Sequence, residues 1–249
     1  MALNIDPHWL MLGSYGSVII LFAFFIRSLT GFGGALIAVP LLALKLDLRY
    51  IVPMETLLEV GLSIILLPTI WRYISWRLVA ILAIGTVVGS VAGTWLLSSL
   101  ANPWLAKVLG VAVLLYGLSL WLPRRNVTEN DPHVGWGLLA GSAGGILGGL
   151  FGTSGPPYVI YLGSSLVNKN AIRGSLIGLF TLDYGLRAGL FTASGLMTSD
   201  VWIGALILTP AMAIGLFLGH KAQIRIDETQ FQRILSGILC LSGLLLILG

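Results

Sequence analysis

The chain has 249 residues, of which 57% are hydrophobic and only 10% are charged. Soluble domains carry about 25% charged residues, so this composition excludes an ordinary soluble domain and predicts a protein of the lipid bilayer. The formal net charge of +4 does not indicate a nucleic-acid partner, because the basic residues stand singly or in pairs between apolar segments, as in the cytoplasmic loops of membrane proteins.

Ten hydrophobic segments follow one another along the chain, and most of them approach the roughly 20 residues that a helix needs to cross hydrocarbon. They lie at about 11–30, 34–45, 53–71, 78–100, 104–122, 134–151, 155–167, 172–196, 200–220 and 230–249. This pattern predicts an all-α polytopic membrane protein. The second and the seventh segments are too short for ordinary spans, and each directly follows a glycine-rich interruption.

The distribution of basic residues predicts how the segments are oriented. If all ten segments cross, nine basic residues lie on one side of the membrane and three lie on the other. The nine are Arg72, Arg77, Arg124, Arg125, Lys169, Arg173, Lys221, Arg225 and Arg233, and the three are Lys45, Arg49 and Lys107. The positive-inside rule then places the nine in the cytoplasm and both termini in the periplasm. Treating the two short segments as re-entrant loops mixes the basic residues between the sides, so ten crossings fit better.

The two halves of the chain resemble each other. Residues 31–34 align with 152–155, residues 59–63 with 183–187, Gly89 and Gly93 with Gly215 and Gly219, and Lys107 with Arg233. Because each half has five segments, an odd number, the second half must insert upside down relative to the first. We therefore predict two inverted repeats, 1–123 and 134–249, joined by a basic cytoplasmic linker at 124–133, with a substrate site where broken helices meet near the midplane. A duplication retained only for folding is the alternative.

The two glycine-rich interruptions are candidates for an anion-binding site. Breaks in the backbone hydrogen-bond ladder survive in a membrane only where protein or a wet cavity surrounds them. Each break precedes a short helix, expected to begin near Ala35 or Pro156, whose free N–H groups and dipole attract anions. The substrate-binding residues predicted here are Thr30, Gly31, Phe32, Gly33, Gly34, Gly152, Thr153, Ser154, Gly155 and Pro156. The alternative is that these glycines serve only close helix packing, as the four-residue spacing of other glycines indicates.

Ionisable residues inside the segments are costly in a bilayer, so each needs a reason. Arg27 ends the first segment, where it either faces the substrate or extends to the interface. Asp183 and Arg187 lie deeper and share a helix face. Either they form a purely structural pair, or Arg187 recognises an anion while Asp183 holds Arg187 or exchanges a proton. Glu59, aligned with Asp183, is the second candidate coupling residue unless it is solvated. Glu55 lies nearer the end of its segment and is assigned no role.

Two motifs resemble those of a known family. Residues 31–42 read Gly-Phe-Gly-Gly-Ala-Leu-Ile-Ala-Val-Pro-Leu-Leu and look like the first signature of the TauE/SafE sulfite-exporter family. Residues 148–157 read Gly-Gly-Leu-Phe-Gly-Thr-Ser-Gly-Pro-Pro and resemble its mirrored second signature. The resemblance implies a bacterial inner-membrane transporter of sulfur-containing anions such as sulfite or small organosulfonates. Ala35, Thr153 and Ser154 depart from the glycines common at these positions, so the resemblance does not fix the substrate.

The predicted function is secondary transport of a small anion, by alternating access of the two halves to a midplane site. One negative charge that leaves a negative interior gains about 2.3 kcal/mol per 100 mV, so export of a monovalent anion needs no coupling and is favoured over import. The alternatives are an anion channel and a non-transporting scaffold subunit. The glycine stripes could also form a homo-oligomer interface.

An enzyme is disfavoured. Ser154 lacks the spacing of a nucleophile elbow, and His8, His133 and His220 form no metal-binding or dyad pattern. We therefore expect no catalytic residues, no cofactor and no metal.

Overall fold

The computed structural model describes residues 12–30, 33–100, 102–119, 133–222 and 228–248. These residues form ten α-helices and no strand, with a π-helical turn at Leu12–Gly16 and a 3-10 turn at Trp71–Tyr73. The helices are α1 (Ser17–Thr30), α2 (Gly34–Ala43), α3 (Leu48–Ile70), α4 (Trp76–Ser99), α5 (Asn102–Ser119), α6 (Val134–Phe151), α7 (Gly155–Ser165), α8 (Lys169–Ala193), α9 (Ser199–Ala222) and α10 (Glu228–Leu248).

The all-helical prediction is confirmed, with one helix for each predicted segment. The largest difference is at α3, which begins at Leu48 and therefore contains Pro53 in its interior. The Asp47 side chain accepts a hydrogen bond from the Arg49 backbone N–H at 2.7 Å and so caps the helix start. Asn168 caps α8 in the same way, through the backbone N–H of Asn170 at 2.9 Å. Polar caps therefore extend both helices beyond their apolar cores.

Several helices have the length and composition of membrane spans. Within the described ranges, five stretches are long and apolar enough to cross a bilayer, at Leu12–Leu29, Leu48–Tyr73, Trp76–Ser99, Val134–Phe151 and Ser199–Ala222. Large apolar side chains on their outer surfaces are widely exposed, as at Ile65 and Leu206, which suits contact with lipid and not with water. The chain is a multi-pass membrane protein.

Close helix contacts explain the glycine stripes. A Cβ atom on Gly89 of α4 would lie 2.1 Å from the carbonyl oxygen of Ser142 in α6, so the two backbones touch. Gly215 of α9 has the same relation to α1, since its Cβ would lie 2.4 Å from the oxygen of Leu21. The stripes therefore pack helices within one chain, and a homo-oligomer interface stays a prediction.

The helix pairs follow a two-fold pattern. The most extensive contacts join α4 to α6, α1 to α9, α5 to α10, and α3 to α8. If each helix of the first half is exchanged with its counterpart five helices later, the first two pairs replace each other and the last two are unchanged. Two related halves produce this pattern, and it supports the predicted repeat. The boundaries of the halves stay a prediction, because 120–132 lie outside the described residues.

The connections between helices gather at two ends. At one end a Cβ on Gly174, near the start of α8, would touch Tyr73 at the end of α3. At the other end Arg49 donates to the carbonyl oxygens of Leu97 at 3.1 Å and Leu100 at 2.6 Å, which joins the start of α3 to the end of α4. Ten helices that each cross the membrane once would bring the same helix ends together. Which end faces the cytoplasm stays a prediction.

Candidate functional site

Both glycine-rich interruptions contain a glycine with left-handed backbone. Gly33, directly before α2, has φ +96°, and Gly152, directly after α6, has φ +73°. Residues with a Cβ rarely adopt this conformation, so glycine is required at both positions. We call the stretch between α1 and α2, residues 31–33, the first break and the stretch between α6 and α7, residues 152–154, the second break. Gly31 and Phe32 lie outside the described residues, as does the side chain of Thr30.

A closed ion pair lies beside the first break. Arg27 of α1 donates from Nη1 to Oε1 of Glu59 in α3, and neither side chain is more than 5% exposed. A Cβ on Gly34 would lie 3.2 Å from Oε1 of Glu59, so this carboxylate stands against the first turn of α2, where the helix dipole favours negative charge. Arg27 and Glu59 are therefore inside the protein, and neither lies at the lipid interface.

The second break contains the ion pair predicted from helix spacing. Nη2 of Arg187 lies 3.4 Å from Oδ2 of Asp183, and both side chains are fully buried. Asp183 also accepts hydrogen bonds from Oγ of Ser154 at 2.6 Å and from Oγ of Ser90 at 3.3 Å. Ser154 directly precedes α7, so Asp183 stands at the start of α7 as Glu59 stands at the start of α2.

The start of α7 offers few backbone donors. Its second and third residues are Pro156 and Pro157, which have no N–H group. The N–H cradle predicted at this helix start is therefore reduced, and the hydroxyl of Ser154 already donates to Asp183. Thr153 is half-buried. Positive charge at the second break comes from Arg187.

Arg187 has an unused hydrogen-bonding edge. Its Nη1 donates to the carbonyl oxygen of Gly148 at 2.7 Å, whereas Nε and Nη2 have no hydrogen-bond partner among the described residues. These two nitrogens carry the parallel N–H bonds that match two oxygens of an oxyanion. A buried charged donor without a partner is costly, so the edge is suited to a ligand.

Glu55 is a candidate that the sequence interpretation missed. It lies one turn before Glu59, is fully buried, and neither of its carboxyl oxygens has a partner in the described part of the chain. Its Oε2 lies 3.6 Å from the position that a Cβ on Gly152 would take, so it faces the second break. The extension of α3 to Leu48 moves Glu55 away from the helix end. The four-residue spacing of two acids was the available signal.

Tyr184 lies between the two ion pairs. Its hydroxyl is 3.5 Å from Nη1 of Arg27, and its ring centroid is 4.8 Å from Cζ of Arg187. The ring of Phe180 stacks on it with 5.8 Å between centroids. The five buried ionisable residues Arg27, Glu55, Glu59, Asp183 and Arg187 therefore form one group, which we call the central cluster.

A cavity of about 480 Å³ leads from one end of the molecule to the first break. Polar and basic side chains line it, including Arg27, Ser28, Asn170, Arg173 and His220. It lies at the end where α3 and α9 finish and α8 begins. Arg187 does not line this cavity, so the cavity reaches the first break and stops short of the second.

The central cluster does not have the composition of a metal site. Within the described residues, no group of three or more histidine, cysteine, aspartate or glutamate side chains could hold a metal ion. Its three acids stand among two arginines, and two of the acids are paired with them. This donor set suits an anion near Arg187.

A family comparison shows which kind of membrane protein has this arrangement. The family model described as "Sulfite exporter TauE/SafE" matches residues 17–246. The chain belongs to the TauE/SafE family. The match includes both breaks and every residue of the central cluster, and it confirms the resemblance of the two motifs. TauE/SafE proteins are a transporter family, so membrane transport is the function class of this chain.

Two curated relatives align over most of their length. A protein of Cupriavidus necator named "Probable sulfite/organosulfonate exporter TauE" is 30% identical over 224 residues, which are 86% of this chain and 86% of that protein. A protein of Comamonas testosteroni named "Probable inner membrane transporter protein TsaS" is 26% identical over 180 residues, which are 70% of this chain and 73% of that protein. No solved structure matches the chain.

Proposed function

We propose that this TauE/SafE protein is a secondary transporter of small sulfur-containing anions, sulfite or organosulfonates, and that Arg187 binds their oxygen atoms. Nε and Nη2 of Arg187 carry this proposal, because they form a buried bidentate donor edge that donates no hydrogen bond within the described residues. The name of the Cupriavidus relative, which includes sulfite and organosulfonate, supports the substrate class.

The second break suits an anion that has two or more oxygens on one atom. A sulfonate presents two oxygens at the spacing of the arginine fork, as a carboxylate does. Asp183, whose Oδ2 lies 3.4 Å from Nη2, and the oxygen of Gly148, which accepts from Nη1, hold the guanidinium in place. In the proposal Gly152, Thr153 and Gly155 shape the pocket around the ligand, and Ser154 orients Asp183. Coupling through Asp183 or Glu59 stays a prediction, and both acids are paired to arginines here.

The cavity and the central cluster suggest a route by which the two halves give alternating access. An anion that enters the basic cavity meets Arg27 first. Opening of the Arg27–Glu59 pair and movement of Tyr184, which contacts both arginines, would then lead it to Arg187. In this proposal the halves, as inverted repeats, rock about the central cluster.

The proposed orientation places the basic end in the cytoplasm of a bacterial inner membrane, by the positive-inside rule. The cavity then opens inward and both termini are periplasmic. An anion that crosses alone is drawn outward by the membrane potential, so we propose export. The proposal includes no catalytic step. It favours a carrier over a channel because Asp183 and Arg187 are buried.

The test is counterflow in proteoliposomes. Purified protein is reconstituted with unlabelled sulfite or methanesulfonate inside, and uptake of the labelled anion is measured. Two matched double variants each remove one buried ion pair without leaving a lone charge. Arg187→Gln with Asp183→Asn alters the second break, and Arg27→Gln with Glu59→Gln alters the first.

We expect saturable counterflow in the wild type, its loss in the Arg187 double variant, and a changed rate with retained binding in the Arg27 double variant. Flux without counterflow or saturation would indicate a channel instead. A folded wild-type protein that moves neither anion would contradict the substrate class and favour the scaffold alternative. Equal counterflow in the Arg187 double variant and the wild type would remove Arg187 from the site.

A further inference from the structure

The central cluster contains one more acid than its two arginines neutralise. Arg27 pairs with Glu59 and Arg187 pairs with Asp183, whereas Glu55 is paired with neither. We propose that Glu55 binds one proton together with each transported anion. This inference rests on the proposed function, since it assigns the proton-coupling residue of the same site.

The position of Glu55 is that of a buried group with no fixed hydrogen-bond partner. Its side chain is 0% exposed, and Oε1 and Oε2 accept no hydrogen bond within the residues that the structure describes. Its Oε2 faces Gly152, which also contacts the apolar side chains of Val39 and Val52. An ionised carboxylate in such surroundings is costly, whereas the neutral acid is tolerated. The second break therefore has a group that can take up a proton.

The charged and titratable groups that face Glu55 come from three helices. Arg27 belongs to α1, and Asp183, Tyr184 and Arg187 belong to α8. Glu59 is one turn away on α3 itself. The described residues of α2 and α6 contribute no charged or titratable side chain. With Glu55 ionised, three negative charges stand against two positive ones, and with Glu55 protonated the cluster is neutral.

An anion at Arg187 changes this balance. A monovalent anion beside an ionised Glu55 would bring the cluster to two excess negative charges in a site that excludes water. If Glu55 takes up a proton when the anion binds, the cluster keeps the net charge that it had with Glu55 ionised and the site empty. Anion binding and proton binding must then favour each other equally, because such coupling is reciprocal.

Proton binding alters the driving force for transport. A monovalent anion that moves with one proton carries no net charge, so the membrane potential no longer acts on the loaded site. The anion and proton gradients then set the direction. Export in this case needs a high internal concentration of the anion, and a more alkaline exterior would assist it.

The experiment uses methanesulfonate, which stays fully ionised near neutral pH, so any pH dependence comes from the protein. Binding to the purified protein is measured by titration calorimetry in two buffers of different ionisation enthalpy, which gives the number of protons taken up. Wild type is compared with Glu55→Gln, a neutral variant of the same shape. The control is Arg27→Gln with Glu59→Gln, which removes the neighbouring ion pair as a unit and leaves the excess negative charge of the cluster unchanged.

For the wild type we expect uptake approaching one proton per anion on the alkaline side, where Glu55 of the empty site is ionised, and affinity that falls there by up to about tenfold per pH unit. Glu55→Gln should take up no proton and bind with affinity independent of pH, and the Arg27 and Glu59 double variant should keep the proton uptake. In proteoliposomes, a methanesulfonate gradient should generate current with Glu55→Gln and none with the wild type.

Unchanged proton uptake in Glu55→Gln would overturn the assignment, and loss of that uptake in the Arg27 and Glu59 double variant alone would move it to Glu59. Wild-type measurements decide the matter even if the variant does not fold, because proton-free binding with electrogenic transport contradicts the proposal directly. Failure of the proposed function gives a different result, since a folded wild type would then bind neither methanesulfonate nor sulfite at any pH.

Discussion

The two breaks occupy equivalent places in the two halves of the chain and differ in how they use an arginine. In both, an acid at an aligned position stands at the start of a short helix, as Glu59 does for α2 and Asp183 for α7. At the first break Arg27 comes from a neighbouring helix and closes on Glu59. At the second break Arg187 comes from the same helix as Asp183, and its Nε and Nη2 donate no hydrogen bond within the described residues.

The starts of the two short helices, α2 and α7, also differ. The first turn of α2 contains Gly34, Ala35 and Leu36, which all have backbone N–H groups. The first turn of α7 contains Pro156 and Pro157, which have none. The second break therefore relies on a side chain for positive charge. This difference suggests that the first break is kept closed by an ion pair within the first half, while the second break binds the ligand.

The strongest test of this difference replaces each arginine by lysine. Arg187→Lys keeps a positive charge for Asp183 and removes the fork. Loss of one charge-assisted hydrogen bond costs about 1.5–3 kcal/mol, so we expect the Kd for methanesulfonate to rise about 10- to 100-fold. At Arg27, where a single nitrogen contacts Glu59, lysine can keep the pair, and the Kd should rise less than about threefold.

Calorimetric titration of both variants under one buffer condition checks this prediction, and thermal unfolding confirms that each is folded. Equal losses of affinity at the two positions would mean that both arginines contact the anion. A larger loss at Arg27 would exchange the roles of the two breaks.

A smaller effect should distinguish two close helix contacts, that of α6 with α4 and that of α9 with α1. A Cβ on Gly145 of α6 would lie 2.5 Å from the oxygen of Thr86, and one on Gly215 would lie 2.4 Å from the oxygen of Leu21. Alanine at either position forces the helix backbones apart, which costs about 1–3 kcal/mol. Gly189→Ala is the control, because a Cβ there meets nothing within 4 Å.

Unfolding midpoints in lipid nanodiscs should fall for Gly145→Ala and Gly215→Ala and should not fall for the control. Only Gly145→Ala should also weaken anion binding, since its contacts include Ser90, which donates to Asp183. Weakened binding in Gly215→Ala to the same degree would show that the two contacts are equivalent for the site as well as for stability.

Much of the fold could be predicted from composition and periodicity, because a bilayer leaves few alternatives to apolar helices. The two breaks were evident from glycine and proline, and the Asp183–Arg187 pair followed from helix spacing. Glu55 could not be placed, because the apolar pattern begins at residue 53, whereas α3 begins at Leu48 after a polar cap at Asp47 and so contains Glu55 in its interior. The Arg27–Glu59 pair joins residues of different helices, so it required the tertiary arrangement of α1 and α3, which no local pattern in the sequence contains.

The smallest predicted effect concerns the hydroxyl groups that hold Asp183. Ser154→Ala removes a hydrogen bond of 2.6 Å to Oδ2, while Ser90→Ala removes a longer one of 3.3 Å to Oδ1. Hydrogen bonds to charged groups contribute about 1.5–3 kcal/mol at good geometry, and Arg187 still compensates the carboxylate, so we expect the lower end of that range for Ser154→Ala and less for Ser90→Ala.

Because Asp183 holds the guanidinium in position, the Kd for methanesulfonate should rise severalfold in Ser154→Ala and less in Ser90→Ala, as titration calorimetry would show. A rise as large as that of Arg187→Lys would mean that Ser154 contacts the anion itself, as its place at the start of α7 first suggested. Unchanged affinity in both variants would leave Arg187 anchored by the oxygen of Gly148 alone and would make Asp183 a structural counter-ion.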